Sequence, residues 1–276
     1  MLRALTFDYW DTLYEGGVRA ERVALRRTAV GALLGAYGRA LPDEQLRALY
    51  EESGREAERW WSEEHRGYRT DDRLRWILER VAVTPREQCE HLAAAADAVD
   101  NALLMLPPAM LPGAWQMLRT LARRFTLAVI SDTGFASGRA QDRLLEKDGA
   151  RDFFAATIYS MDIGHAKPRP EIFAAAVETL GVPAGEILHI GDNERTDVRG
   201  ALAAGFRAIR LDVVRAGGPS EAEFVARSFE ELTSYLERVN REPLTVVPQL
   251  RFTVHVHRSF HPYFCFAMNS AVITRY

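Results

Sequence analysis

The chain has 276 residues, with 35 lysines and arginines against 38 aspartates and glutamates, a formal net charge of -3, 47% hydrophobic and 26% charged residues. These proportions describe an ordinary soluble globular protein with a sizeable core, long enough for one large domain or two modest ones. They give no support to nucleic-acid or anionic-membrane binding, which asks for a basic patch, and no apolar run reaches the ~18 residues of a membrane span.

Leu2-Arg3-Ala4-Leu5-Thr6-Phe7 is an apolar run of strand length that ends abruptly in Asp8-Tyr9-Trp10-Asp11-Thr12-Leu13. It reads as a buried parallel strand with acids at its carboxyl end, where an open α/β sheet binds its ligands. A carboxylate held there, partly desolvated and beside a cation, is able to act as a nucleophile. The plainer alternative is that Asp8 and Asp11 cap the turn that follows.

Glu15-Gly16-Gly17 breaks the chain, and from Val18 to about Leu104 only helical periodicity appears. Val23, Leu25, Val30, Leu33 and Leu34 form one series, Leu46, Leu49 and Tyr50 a second, Leu74, Ile77 and Leu78 a third, at three- and four-residue intervals. Breaks near Pro42, Gly67 and Pro85 divide the stretch into about four helices, a bundle inserted into the α/β chain. Pro107, Pro108, Pro112 and Gly113 close the insertion, because such residues cannot continue a helix.

Strands and helices then alternate. Helix 114–124 leads to the strand Thr126–Ile130, which ends in Ser131-Asp132-Thr133-Gly134; helix 137–147 precedes a short strand Thr157–Tyr159. Helix 171–180 precedes the strand Ile187–Ile190, which ends in Gly191-Asp192-Asn193; helix 197–204, closed by Gly205, precedes Ala208–Leu211, and a last helix runs over about 228–239. The alternation predicts a Rossmann-like parallel sheet with helices on both faces. The expected organisation is an α/β core of residues 1–13 and 109–240, an all-helical cap of residues 14–108, and a tail of residues 241–276.

The tail has one acid, Glu242, and holds His255, His257 and His261. On a strand His255 and His257 would share a face, as a metal pair does, but no third ligand follows at useful spacing, and an appended hairpin is the plainer reading. Cys89 and Cys265 lie far apart without ligand spacing and read as reduced thiols of a cytoplasmic protein. The amino terminus enters the strand pattern with no charged-then-apolar leader.

The chemistry is carried by three further clusters. Of the 35 basic residues only Lys147 and Lys167 are lysines. Lys167, in His165-Ala166-Lys167-Pro168-Arg169-Pro170-Glu171, is a cation fixed by two prolines just before a helix. Ser131 ends a strand, where its hydroxyl and neighbouring backbone N–H groups would hold an oxyanion. Asp192 and Asp197 lie across another strand end and, with Asp8, make the oxygen-rich site that Mg²⁺ prefers. Singly, a serine at a strand end is usually a turn residue and a lysine before a helix is usually solvated; the argument rests on their order along one sheet.

In that order they resemble the haloacid dehalogenase-like (HAD) hydrolase superfamily. Phe7 to Leu13 is similar to its first motif, Ser131 to its second, Lys167-Pro168 to its third, and Gly191-Asp192 through Asp197 to its fourth; the helical segment is similar to a C1-type cap. The resemblance covers residues 2 to about 239. It implies Asp8 as the nucleophile that forms a covalent aspartyl ester, Ser131, Asp132, Thr133 and Lys167 around the transferring group, Lys167 also neutralising charge near Asp8, and Thr12 orienting the first loop. It further implies Mg²⁺ held by Asp8, the Trp10 backbone carbonyl and Asp192, with Asp197 in support, and a cap that excludes water and selects the substrate.

One position departs from the pattern. Phosphatases of the family place a second Asp two residues after the nucleophile to protonate the leaving oxygen; here that residue is Trp10, and Asp11 holds a turn position. Such acid–base help is worth about 10² to 10⁴ in rate. Three readings follow: a Mg²⁺-dependent hydrolase of a small phosphorylated metabolite whose leaving group needs little protonation, such as an acyl phosphate; a 2-haloacid dehalogenase-type C–X hydrolase; and a phosphate-binding protein with little turnover. Dehalogenases carry an aromatic at the Trp10 position but a different fourth motif, so Gly191-Asp192 with Asp197 favours the first. A Schiff-base mechanism on a cap lysine is excluded, since residues 14–108 contain none. Oligomeric state is left open.

Overall fold

The structure, a computed structural model, describes residues 1–17, 19–84 and 91–239. The tail with His255, His257, His261 and Cys265, together with Cys89 and the expected break at Pro85, lies outside the described residues.

Six parallel strands form one sheet in the order β3-β2-β1-β4-β5-β6, where β1 is Ala4–Phe7, β2 Thr126–Ser131, β3 Phe154–Tyr159, β4 Ile187–Gly191, β5 Arg207–Leu211 and β6 Phe224–Ala226. All four residues of β1 and all five of β4 are buried, so these strands read as continuous apolar runs because both faces of the sheet are covered. Leu5, Phe7, Leu127, Val129, Leu188 and Ile190 point to one face, under Leu118, Leu144 and Leu232 of α5 (Ala114–Leu121), α6 (Gly138–Lys147) and α10 (Phe229–Val239). Ala4, Ala128, Ile130, Ile187 and Ala208 point to the other, under α8 (Pro170–Leu180) and α9 (Gly200–Ala203); a short α7 (Ser160–Ile163) follows β3.

Because the chain leaves β1 for β2 on one side and returns from β3 to β4 on the other, the carboxyl ends of β1 and β4 flank the reversal of strand order. Ligands of open α/β sheets bind in the crevice at that point. Phe7 pairs with both Val129 and Ile190, so Asp8 emerges level with Ile130 and Gly191.

Between β1 and β2 stand α1 (Ala20–Ala36), α2 (Asp43–Ser62), α3 (Thr70–Arg80) and α4 (Leu92–Met105). They share a cluster of Val30, Leu34, Leu74, Ile77, Leu78 and Val99, to which Phe135 from the sheet side is added. The two connections run side by side: Leu111 N donates to Leu13 O at 2.8 Å and Glu15 N to Ala109 O at 3.0 Å. A second attachment joins the α2–α3 loop to the segment before Lys167, where Gly67 N donates to Gly164 O at 3.0 Å and Ala166 N to His65 O at 2.9 Å. The approach is so close that a Cβ on Gly67 would lie 1.8 Å from Ser160 O.

Besides the short α7, absent from the sequence expectation, and the end of α5 at Leu121 rather than 124, three elements differ from it. β6 was not anticipated, since three residues of a polar stretch carry little strand signal; its backbone pairing with β5 makes it. β3 begins at Phe154 rather than Thr157, its extra residues Phe154-Ala155-Ala156 including two alanines with poor strand preference. The helix expected from 197 starts as a π-helix over Glu194–Arg199 before α9.

Candidate active site

Asp8 directly follows β1, and both its oxygens are engaged: Lys167 Nζ donates to Oδ1 at 2.6 Å and Thr12 Oγ1 to Oδ2 at 3.3 Å. Lys167 arrives from the loop between α7 and α8, and its ammonium also donates to Ile130 O at 3.1 Å and to Asp197 Oδ1 at 2.7 Å. With three acceptors around it, the ammonium is spent on the ends of β1, β2 and the loop after β4 together. It is 2% exposed.

The fourth cluster is shaped by Gly191. A Cβ there would sit 2.4 Å from Asp197 Cγ, so glycine is what lets the acid fold back against the strand end. Asn193 N donates to Asp197 Oδ2 at 2.9 Å, and the Asn193 side chain caps the helix by accepting from Arg195 N and Thr196 N, as an Asn at a helix start does. Asp8, Asp192 and Asp197 each turn an oxygen to a common region, these atoms lying within 4.8 Å of one another.

Ser131 lies at the carboxyl end of β2 and is fully buried. Its hydroxyl donates to Gln141 Oε1 of α6 at 2.8 Å. Thr133 N and Oγ1 meet Ser160 Oγ at 3.1 and 3.2 Å. Asp132 is a bridge, since its Oδ1 accepts from Lys167 N at 3.0 Å and its Oδ2 from Trp61 Nε1 at 2.9 Å. The structure thus gathers Asp8, Thr12, Asp197 and Lys167 in direct contact, with Asp192 and Asp132 beside them.

Trp10 leans edge-on against Tyr9, centroids 4.8 Å apart, and packs on the apolar cluster of the sheet. Asp11 adopts φ 55°; its Oδ1 accepts from Gly16 N at 2.8 Å and its Oδ2 from Arg215 at 3.1 Å. Both Asp11 oxygens are thus already engaged, one by the backbone of its own turn and one by the loop after β5.

Electrostatics follow from burial and from one ammonium among several acids. Burial pushes the Asp8 carboxyl up to about 8, against the pull of Lys167 and with added repulsion from Asp197 and Asp192. Burial acts the same way on Asp197, but Lys167 and His189 outweigh it and hold that carboxyl below the ordinary range. Burial opposes the charge on Lys167, yet Asp197, Asp8 and Asp132 raise its pKa and keep it an ammonium. Asp192 is raised by burial and by Asp197. A buried set of carboxylates in excess over its cation fits a hard divalent ion with oxygen ligands.

His189 and Gln141 carried no sequence signal, and the sequence left open which way Trp60 and Trp61 face. His189 in β4 spans from Thr6 Oγ1, at 2.9 Å from its Nδ1, to Asp197 Oδ1, at 3.4 Å from its Nε2; it pairs with Thr6 in register, visible only once the strands are aligned. Gln141 reaches Ser131 from a helix. Of the two adjacent tryptophans, Trp60 packs in the helical layer against Tyr68 while Trp61 reaches Asp132, a difference that helical phase decides.

Comparison with known proteins agrees with this arrangement. The glyceraldehyde 3-phosphate phosphatase of Methanopyrus kandleri is 29% identical over 261 residues, spanning 91% of this chain and 99% of its own. The 5-amino-6-(5-phospho-D-ribitylamino)uracil phosphatase YigB of Escherichia coli is 32% identical over 219 residues, 75% of this chain and 82% of its own. The crystal structure of a 2-haloacid dehalogenase from Pseudomonas syringae pv. Tomato shares the fold with a TM-score of 0.64 at 24% identity, covering 87% of this chain and all of that one. The sequence model of the haloacid dehalogenase-like hydrolases matches residues 2–205, a span that holds Asp8, Ser131, Lys167, Asp192 and Asp197; this protein belongs to that family of hydrolases.

Proposed function

We propose that the protein is a Mg²⁺-dependent phosphatase of a small phosphorylated metabolite, acting through an aspartyl-phosphate on Asp8. The observation that carries the reading is the convergence of an oxygen from each of Asp8, Asp192 and Asp197 within 4.8 Å of one another, with the Lys167 ammonium paired to Asp8 and Asp197. Its second support is that both long-matching relatives are phosphatases of small metabolites.

Asp8, Asp192 and the Trp10 backbone carbonyl would hold the ion, with Asp197 beside them. When bound, it supplies positive charge at the transferring phosphoryl group and at the Asp8 carboxylate. The chain's own residues do the rest. Thr12 and Lys167 fix the two Asp8 oxygens, so the carboxylate is presented to phosphorus without reorganisation. The P–O bond to the leaving group breaks as the Asp8–phosphorus bond forms, and water then cleaves the acyl phosphate, releasing inorganic phosphate and the free carboxylate. Lys167 neutralises charge on the transferring oxygens throughout.

Residues 14–108 act as the cap, with Trp61 and the α2–α3 loop set on the loops of Asp132 and Lys167. Trp10 brings no proton to the leaving oxygen. The favoured substrates are therefore those whose leaving group departs unprotonated, acyl phosphates first, or carries its own acid.

The test is phosphate release from a panel of acyl phosphates and small phosphomonoesters, including glyceraldehyde 3-phosphate, with Mg²⁺ or with EDTA. Mg²⁺-dependent release by the native chain that disappears in Asp8→Asn bears the reading out. Halide release from 2-haloacids in EDTA would replace it with C–X hydrolysis, for which the aromatic Trp10 is the specific motive. Saturable phosphate binding with neither product would leave a binding protein.

A further inference from the structure

Arg215 stands at the crest of the loop after β5. Its Nη2 donates at 3.1 Å both to Asp11 Oδ2 and to Asp192 Oδ2. Asp192 is the acid that the metal-dependent reading assigns to the ion, so a protein cation already rests on a metal-ligand oxygen.

This is a built feature, because the loop that presents Arg215 is pinned from below. The Arg210 guanidinium, 3% exposed, is forked on Asp212 at 2.8 and 3.2 Å and also donates to Gly218 O at 2.7 Å and Pro219 O at 3.3 Å. Gly217 N donates to Asp212 Oδ2 at 3.0 Å, and a Cβ on Gly217 would lie 2.7 Å from Arg210 Cζ. Glu194, two residues after Asp192, accepts from Arg210 at 3.1 Å, Ser220 Oγ at 2.6 Å and Glu221 N at 2.9 Å. Both ends of the loop are thereby tied to each other and to the helix that follows Asp192. The far anchor, Asp11, is held in turn by Gly16 N.

We propose that Arg215 is a competing cation that sets the metal affinity of this site: its guanidinium and a divalent ion draw on the same Asp192 carboxylate. The inference rests on the metal-dependent reading. Two cations on one carboxylate repel, and the Arg215–Asp192 contact must weaken as the ion is taken up. Removing the guanidinium abolishes both costs and leaves Asp11 as additional negative charge nearby. Metal binding then tightens by roughly 2- to 5-fold, the size of one exposed ion pair, because the Arg215 side chain is 67% exposed. Lysine keeps the charge and keeps affinity near that of the native chain.

The experiment is calorimetric titration of Mg²⁺ into the full chain without substrate, for the native protein, Arg215→Gln, Arg215→Lys and Asp192→Asn. Tighter binding in Arg215→Gln, native-like binding in Arg215→Lys and loss in Asp192→Asn is the expected result. Unchanged or weaker binding in Arg215→Gln overturns the proposal, since the arginine would then be inert or would orient Asp192 for the ion. In that case retained binding by the native chain leaves the metal-dependent reading standing. Absence of Mg²⁺ binding in every form removes that reading and this one together.

Discussion

Lys167 and Asp197 share a 2.7 Å hydrogen bond between side chains that are each 2% exposed, and the same ammonium holds Asp8 at 2.6 Å. Breaking a buried pair from one side strands the remaining charge, at a cost of ~3–5 kcal/mol. Lys167→Met strands the ionised Asp197 carboxylate and is expected to lower the melting temperature of the metal-free protein by roughly 6 to 20 °C. Adding Asp197→Asn to that variant removes the stranded charge and recovers part of the loss. Thermal unfolding in EDTA at pH 7.5 reads both; equal melting of native and Lys167→Met chains would mean that the ammonium does not bind the loops together.

The raised Asp8 carboxyl gives the metal-free protein a distinct pH response. Its value moves from 3.8 to about 8 on folding, so between those limits the native state binds more protons than the unfolded one, and stability falls as pH rises. His189 acts in the opposite sense: burial lowers its pKa from 6.5, so it costs stability as pH falls below that value. The informative window is therefore pH 7 to 8.5. There the melting temperature of the chain in EDTA declines with rising pH, and the slope flattens in Asp8→Asn. Because the ion takes a carboxylate, Mg²⁺ uptake at pH 7 releases a proton, which titrations in buffers of different ionisation enthalpy detect. A pH-independent melting temperature in the window would remove the basis for both expectations.

Two of the contacts between the helical layer and the sheet are separable by single substitutions. Gly67→Ala sets a methyl group 1.8 Å from Ser160 O and must push the α2–α3 loop away, whereas Trp61→Phe only deletes the indole N–H that reaches Asp132. Gly67→Ala is expected to raise amide exchange across residues 164–167 strongly. Trp61→Phe is expected to raise it at Lys167, whose N–H shares the Asp132 carboxylate, and to cost ~1–3 kcal/mol for the acceptor left unpaired. Protection unchanged in both variants would show that the layer is not seated on the Lys167 loop.

Apolar runs bounded by acids were legible without coordinates. β1, β2 and β4 are buried on both faces, so their sequence carries the signal of a central parallel strand, and Asp8, Ser131 and Asp192 follow from where those strands stop. Lys167 was legible for a different reason, since lysine is so rare here. What stayed hidden is what depends on register or helical phase. His189 meets Thr6 across strands 183 residues apart. Trp61 rather than Trp60 faces the sheet because one step along a helix turns a side chain by ~100°. Arg215 hangs on an irregular loop that contains Gly217, Gly218 and Pro219 and is ordered by the hydrogen bonding around Arg210.

Trp10 is where the chain departs furthest from the phosphatase pattern, and the departure is reversible by design. The indole packs against Tyr9 and the sheet's apolar cluster, so it fills space beside Asp8 without offering a proton. Trp10→Asp restores a titratable group two residues after Asp8, and general acid help is worth about 10² to 10⁴ in rate. The gain is expected for alkyl phosphates, whose leaving oxygen needs the proton, and not for acyl phosphates, whose leaving group departs without one. Trp10→Asn provides the control, since it removes the same indole and supplies no acid. The measured quantity is the ratio of kcat on an alkyl phosphate to kcat on an acyl phosphate in the three proteins. A rise in Trp10→Asp alone assigns the deficit to the missing acid. An equal rise in Trp10→Asn would assign it to the bulk of the indole, and no rise in either would show that the position does not face the leaving group.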